Sequence, residues 1–350
     1  MKNGSGIILL SFPFAAGVSA AALAAMPFEG ALAGSVAVAL ALACACFSKR
    51  GTVPLLIMYF CLGFCCWCSN AACPPPPPPQ FARPLADALE ALLDSIPFDG
   101  ENSGAIIKAL LTGRRSGLPA STVAAFRRSG ASHILALSGL HLGIIYACIR
   151  RILSIFGNSP TARIVKSIST IALCGLYSLA TGASPSIIRA LLFIIINEAG
   201  RAMSGRRHSP LGTFCLALTL QLAARPLIIS SVGFQLSYLA MLGITILYPR
   251  LKAWYPEGRR GNPLRAIWKS ASLSISCQVF TAPVAWYHFR SFPVFFLITN
   301  LIALPITEVV IIGAVAAAVM QATFGCPPAL SLACGKAVQL LEFCLETIAQ

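Results

Sequence analysis

Long apolar runs recur along almost the whole chain and are separated by short polar segments. A run needs about 20 residues to cross the roughly 30 Å hydrocarbon core of a bilayer as a helix. Runs near this length are 6–26, 31–47, 53–69, 132–149, 164–182, 186–200, 210–224, 228–248, 268–288, 293–320 and 328–350. The short runs at 186–200 and 210–224 predict tilted, broken or re-entrant helices. The pattern therefore predicts an all-α, polytopic integral membrane helical bundle with about 9–11 transmembrane or re-entrant helices.

The stretch between 70 and 131 interrupts this pattern. Six consecutive prolines in "CPPPPPPQ" (73–80) predict an extended polyproline II spacer, because proline has no amide donor and a fixed φ. From Leu85 to Ile96, apolar residues follow helical spacing opposite an acidic face, which predicts an amphipathic helix. Such a helix either lies on the bilayer or covers another element. Two further short helices are predicted, divided at 113–119.

These features divide the chain into three parts. Residues 1–72 are predicted to be N-terminal membrane helices, and 73–102 an extracytoplasmic spacer with the amphipathic helix. Residues 103–350 are predicted to form the main membrane core.

The composition agrees with a membrane protein. Hydrophobic residues make up 57% of the chain and charged residues 11%, and the mean hydropathy is +0.79. A soluble protein has about 25% charged residues. The sequence contains no P-loop, dinucleotide-binding fingerprint or H-E-x-x-H pattern. We therefore predict a conduit or carrier that is not an enzyme and needs no cofactor.

The net charge of +15 has two explanations. In a soluble protein it would suggest nucleic acid, whereas in a membrane protein the positive-inside rule accounts for much of it. With the N-terminus in the cytoplasm, about twice as many basic residues fall inside as outside, which favours this orientation. The basic residues left outside include two pairs, which either snorkel to the headgroups or attract a polyanion at a pore mouth: Arg114, Arg115, Arg127 and Arg128.

Most of the 14 cysteines lie within apolar runs, where they are predicted to pack as small hydrophobic residues. The segment "CLGFCCWCSNAAC" (61–73) has no histidine and no second cysteine cluster nearby, so we predict no zinc site. The sequence leaves open whether Cys68 and Cys73 form a disulfide.

The stretch "SHILALSGLHLGIIY" (132–146) combines an apolar run with polar residues. His133 and His141 are about 12 Å and 80° apart on a continuous helix, which excludes one metal ion bound by both. Ser138 and His141 are three residues apart and could touch, as in a hydrolase, but no G-x-S-x-G elbow surrounds Ser138. The other interpretation is helix packing through small residues, with His141 facing a helix or a watery cavity.

Other polar residues lie at predicted membrane depth. They are Arg189, Gln235, Gln278, His288 and Asn300. Each alone is explained by polar contacts between helices, whereas together they favour a polar translocation path.

Five ordered blocks between residues 103 and 320 resemble a known family. They are "GLPASTVAAFRRSGASHILALSGLHLGIIYACIRRIL", "ATGASPSIIRALL", "RPLIISSVGFQLSYLAMLGI", "QVFTAPVAWYHF" and "NLIALP". Together they resemble the ComEC-type bacterial competence proteins, and the first contains the "FRRSG" and "ALSGLH" signatures.

This resemblance implies an inner-membrane channel that takes up single-stranded DNA during natural transformation. Polar residues of the channel would be His141, Ser138, Arg189, Gln235, Gln278, His288 and Asn300. The resemblance also suggests a separate nuclease, a DNA receptor and a cytoplasmic motor ATPase as partners, and leaves open a homo-oligomer. Longer relatives usually carry an OB-like and a metallo-β-lactamase-like domain, and we expect neither within these 350 residues. The resemblance leaves open whether the chain is full-length, truncated or decayed.

Two other functions remain open at this stage. A secondary transporter or permease for a small solute or lipid needs the same polar interior without the external arginines. An intramembrane hydrolase would use Ser138 and His141.

Overall fold

A computed structural model describes residues 5–25, 34, 37–38, 52–71, 82–157, 159–204, 209–255, 263–290 and 294–349. These ranges form helices joined by short turns, and they contain no strand. The predicted all-α polytopic bundle is confirmed. The prolines of 73–80, with Cys73, and most of the predicted span 31–47 lie outside the described residues.

The helices are numbered in chain order over the described residues. Those of the first half are α1 (Ser5–Ala24), α2 (Thr52–Ala71), α3 (Ala82–Asp94), α4 (Ser103–Thr112), α5 (Ala120–Arg128), α6 (Ser132–Leu135) and α7 (Gly139–Leu153). Those of the second half are α8 (Pro160–Ala180), α9 (Pro185–Ser204), α10 (Pro210–Ala224), α11 (Val232–Ile246), α12 (Tyr248–Ala253), α13 (Pro263–Phe289), α14 (Phe296–Thr323) and α15 (Pro328–Ala349). A 3₁₀ turn, Pro226–Ser230, precedes α11.

Six of the described helical segments are long and apolar enough to cross a bilayer. They are α1, α2, α8, the continuous pair α11–α12, α14 and α15. Helices α4 and α10 are apolar but shorter. The protein is therefore a multi-pass membrane protein, and the total of about 9–11 spans stays a prediction.

The prediction of one helix across 132–149 is wrong. The chain leaves helical geometry at Ala136 (ψ 124°) and Ser138 (ψ 165°), so that α6 and α7 are separate helices. The physical reason is that Ser138 caps α7 and needs an extended backbone to do so. With 15 residues, α7 is about 22 Å long, which is less than the hydrocarbon thickness.

The predicted amphipathic helix is confirmed as α3, and it covers other helices. Leu93 and Ile96 are 3% and 4% exposed within the largest apolar core. The same core includes Val310 and Ala314 of α14 and Leu341 of α15. Because α3 buries its apolar face in this way, it closes one side of the bundle.

Helices α1 and α2 pack with their backbones in direct contact. A Cβ atom at Gly17 would collide with the carbonyl of Phe60, and one at Gly63 would collide with the carbonyl of Phe14. Only glycine permits so close an approach at these two positions. Helix α1 also contacts α10, since the Thr219 hydroxyl donates to Ser11 Oγ at 2.9 Å. The N-terminal helices are thereby docked on the rest of the bundle.

We expect Gly17→Leu to destabilise the protein, because the added side chain must push α1 and α2 apart. Overpacking of this kind costs about 1–3 kcal/mol, which should lower the melting temperature in detergent. The matched control is Gly6→Leu on the same helix, where a Cβ finds nothing within 4 Å. Equal melting temperatures for the two variants would contradict the packing described above.

Candidate functional site

Ser138 and His141 form a reciprocal N-terminal cap at the start of α7. Ser138 Oγ accepts from the N–H of Leu140 at 3.2 Å, and His141 Nδ1 accepts from the N–H of Ser138 at 3.1 Å. The hydroxyl also lies 3.0 Å from Nδ1. This is the geometry of a capping box with histidine in the place of the usual glutamate. Ser138 and His141 therefore touch as predicted, and the contact starts a helix.

The cap fixes the tautomer of the neutral His141 ring. Because Nδ1 accepts hydrogen bonds, the proton of the neutral ring belongs on Nε2. His141 is 1% exposed, and Nε2 finds no hydrogen-bond partner among the described residues. The first turn of α7 therefore carries a buried donor that is left unsatisfied.

Arg189 on α9 lies against this same turn. Its Nη2 atom would be 3.1 Å from a Cβ placed on Gly139, the first residue of α7. Arg189 is 7% exposed, and its Nη1 has no hydrogen-bond partner in the described ranges. The guanidinium lies 5.8 Å from the ring centroid of Tyr238 on α11, which gives a cation–π contact. Gly139 is thus small because the guanidinium occupies the adjacent space.

A short polar chain surrounds the start of α9. The Tyr238 hydroxyl donates to Gln221 Oε1 at 2.8 Å, and Gln221 Nε2 donates to the carbonyl of Pro185 at 3.2 Å. Ser237 donates to Ser186 at 3.3 Å. These bonds join α10 and α11 to the first turn of α9. Gln221 and Tyr238 are not among the residues predicted from the sequence, although a glutamine within the apolar run 210–224 is a visible signal.

The structure brings only some of the predicted polar residues to this cluster. Gln235 lies one turn before Tyr238 and donates to the carbonyl of Ile229 at 2.9 Å, where it closes the 3₁₀ turn. Gln278 is half-buried on α13. Asn300 is half-buried on α14, and its Oδ1 finds no partner among the described residues.

His288 lies away from the cluster, at the exposed end of α13. It contacts the ring of Tyr287, and Arg290 lies 5.2 Å from the ring of Trp286. Aromatic and basic residues grouped in this way are typical of a membrane–water interface.

The four arginines of the predicted basic lip differ in their surroundings. Arg114 forms ion pairs with Glu90 at 2.8 Å and Asp87 at 3.4 Å on α3, so its charge is compensated. Arg115, Arg127 and Arg128 are exposed, and none of them forms an ion pair with a described carboxylate. The predicted basic lip therefore consists of three uncompensated arginines and one compensated arginine.

The pair Arg127–Arg128 is attached to the start of α14. The next residue, Ser129, is fully buried, and its carbonyl accepts from the Thr299 hydroxyl at 2.6 Å. Thr299 immediately precedes Asn300. The exposed basic pair is thus connected to the first turns of α14, where the half-buried Asn300 lies.

A second buried polar cluster centres on Glu198, which is fully buried on α9. Its carboxylate accepts from Tyr146 at 2.7 Å, Ser167 at 2.8 Å, Arg150 at 3.2 Å and Arg201 at 2.6 Å. These bonds connect α7, α8 and α9 at the ends away from the Ser138 cap. The sequence showed Glu198 as a polar residue in an apolar run but gave no sign of its partners.

The described residues contain no group of three metal-ligating side chains. No described carboxylate hydrogen-bonds to His141, so the orienting group of a serine–histidine hydrolase is not found in this part of the chain. The chemistry available at α7 is hydrogen-bond donation and positive charge.

We expect Glu198→Gln to destabilise the protein strongly, because it leaves two partly buried arginines without their counter-charge. Loss of one partner from such a cluster costs about 3 kcal/mol, which thermal unfolding in detergent would detect. Glu308→Gln, at an exposed carboxylate of α14, is the matched control and should change little. Similar changes in melting temperature for the two substitutions would show that the Glu198 cluster does not stabilise the protein more than an exposed carboxylate does.

Comparison with known proteins places this architecture in a family. The Competence protein family matches residues 110–350. ComE operon protein 3 of Bacillus subtilis is 28% identical over 231 residues, which cover 64% of this chain and 28% of that protein. Recombination protein 2 of Haemophilus influenzae is 27% identical over 223 residues, with coverage of 59% and 27%.

An uncharacterized protein of Escherichia coli, YcaI, is 25% identical over 241 residues, which cover 67% of this chain and 30% of that one. The match thus spans less than a third of each of these relatives. No solved structure matches the chain. The family match covers more than half of the chain and includes α7, α9, α11 and α14, so this multi-pass membrane protein belongs to the Competence protein family.

Proposed function

We propose that this chain forms the membrane core of a channel for the uptake of single-stranded DNA during natural transformation. The proposal rests on membership of the Competence protein family and on one structural observation. That observation is the exposed, uncompensated pair Arg127–Arg128, attached through Ser129 and Thr299 to the start of α14. A basic surface next to intramembrane polar groups suits a polyanion that enters a membrane path, since phosphates dominate nucleic-acid affinity.

In this proposal the path is lined by the buried and half-buried polar residues of the bundle. They are His141, Arg189, Gln235, Gln278 and Asn300. The protein lies in the inner membrane with its N-terminus in the cytoplasm. A nuclease, a DNA receptor and a motor ATPase are the partners that we propose for this channel.

Substitutions in the basic lip distinguish the DNA-uptake hypothesis from transport of a small solute. We expect the triple variant Arg115→Gln, Arg127→Gln, Arg128→Gln to lower the transformation frequency strongly. It should also weaken oligonucleotide binding by the purified protein. The slope of the logarithm of affinity against the logarithm of salt concentration should decrease in magnitude by about 1 for each phosphate that the variant no longer neutralises.

Arg114→Gln is the matched control, because Asp87 and Glu90 already compensate that charge. It should retain most of the uptake. A triple variant that transforms normally would favour a carrier of small solutes or lipids over a DNA channel.

The hydrolase alternative is tested at Ser138. Asparagine is a good helix N-cap and has no nucleophilic hydroxyl, so we expect Ser138→Asn to retain stability and DNA uptake. Ser138→Ala should lose about 1 kcal/mol of stability, because it cannot cap α7. Labelling of the wild type by a serine-directed probe, together with loss of function in Ser138→Asn, would support the hydrolase instead.

A further inference from the structure

We propose that Arg189 and the N-terminal turn of α7 form a buried binding site for a phosphodiester group of the translocated DNA strand. The inference rests on the proposed function and extends it, because it identifies an atom-level contact inside the membrane. Three observations carry it: the burial of Arg189 with Nη1 unsatisfied, the absence of an ion pair between Arg189 and any described carboxylate, and the approach of two helix N-termini.

The first observation is an uncompensated buried charge. Arginine stays protonated in proteins, and a buried cation without a partner costs several kcal/mol. Arg189 is 7% exposed and Nη1 is unsatisfied within the described residues. Its cation–π contact with Tyr238 is only a partial substitute for a hydrogen-bonding anion.

The second observation concerns the carboxylates of the described ranges, none of which forms an ion pair with Arg189. Asp87 and Glu90 bind Arg114, Asp94 binds Lys108 and Asp99 binds Lys336. Glu198, the buried carboxylate on the same helix, binds Arg150 and Arg201. Arg189 is therefore available to an external anion.

The third observation is that two helix N-termini contribute positive electrostatic potential close to the guanidinium. Arg189 lies four residues after the start of α9, and its Nη2 lies against Gly139 at the start of α7. A helix N-terminus carries about half a positive charge. Two such ends and a guanidinium repel each other unless an anion joins them, and this arrangement is well suited to phosphate.

His141 adds a further donor to the same turn of α7. Its Nε2–H is buried and unsatisfied among the described residues, while its Nδ1 maintains the cap that starts the helix. The absence of a side chain at Gly139 lets the Arg189 guanidinium approach this turn. The site therefore offers a guanidinium and a neutral N–H donor, which are chemical groups that bind phosphate oxygens.

A phosphodiester of a passing strand fits this chemistry better than a permanently bound ion. One buried arginine gives a single strong contact, so that each phosphate binds and is then replaced by the next. The basic lip would concentrate the strand outside, and Arg189 would compensate phosphate charge within the bilayer.

The test measures thermal stability and binding on the purified full chain in nanodiscs. We expect a single-stranded oligodeoxythymidine to raise the melting temperature of the wild type by mass action. Arg189→Gln should weaken oligonucleotide binding about tenfold or more. It should also leave the melting temperature without DNA unchanged or higher, because it removes an uncompensated buried charge.

Two control variants make the result interpretable. Arg189→Lys keeps the charge but not the fork geometry, and we expect intermediate affinity. Arg290→Gln removes an exposed arginine beside Trp286 and should bind as the wild type does. The affinity for an uncharged methylphosphonate oligonucleotide should be the same in the wild type and in Arg189→Gln.

Different failures have different meanings. If Arg189→Gln still binds the oligonucleotide and still takes up DNA as the wild type does, this inference is overturned and the proposed function is unaffected. A lower melting temperature for Arg189→Gln without DNA, with unchanged affinity, would assign the residue a structural role and also overturn it. Stabilisation by inorganic phosphate or phosphatidylglycerol that depends on Arg189, without any oligonucleotide binding by the wild type, would overturn the proposed function instead.

Discussion

The distribution of buried charge is the constraint on which the rest of this membrane bundle depends. Glu198 is the only fully buried carboxylate among the described residues, and three of its four hydrogen bonds join α9 to α7 and α8. Because this carboxylate is engaged at one end of α9, it cannot compensate Arg189, which lies nine residues earlier. Helix α9 thus carries a compensated charge at one end and, near the other, a charge with no counter-charge among the described residues.

The break between α6 and α7 has a similar importance for the site. A helix that continued from Ser132 would have no free N-terminus near Arg189. By ending α6 at Leu135 and capping α7 with Ser138, the chain brings a helix N-terminus inside the bundle. Irregular backbone at membrane depth is tolerated where protein surrounds it or where it lines a cavity. The turn that starts α7 thus belongs both to the packing of the bundle and to the phosphate site proposed above.

The basic surface and the buried arginine form two successive regions of positive charge. Arg127 and Arg128 are exposed, and salt screens exposed charges. Arg189 lies in a medium of low dielectric, where a single contact with an anion is stronger. The neutralisation of Arg114 by α3 shows that not every arginine in this region serves the same purpose.

The sequence by itself determined the membrane class, most helix positions, the amphipathic α3 and the family, because these depend on local periodicity and on the order of short motifs. It also identified Ser138, His141 and Arg189 as polar residues at membrane depth. Only the tertiary structure decided that Ser138 and His141 form a cap, that Arg114 pairs with α3, and that Glu198 binds Arg150 while Arg189 has no described counter-charge. Most of these contacts join residues on different helices, and Arg150 and Glu198 are 48 positions apart. Local patterns do not contain them, because they depend on how the helices pack.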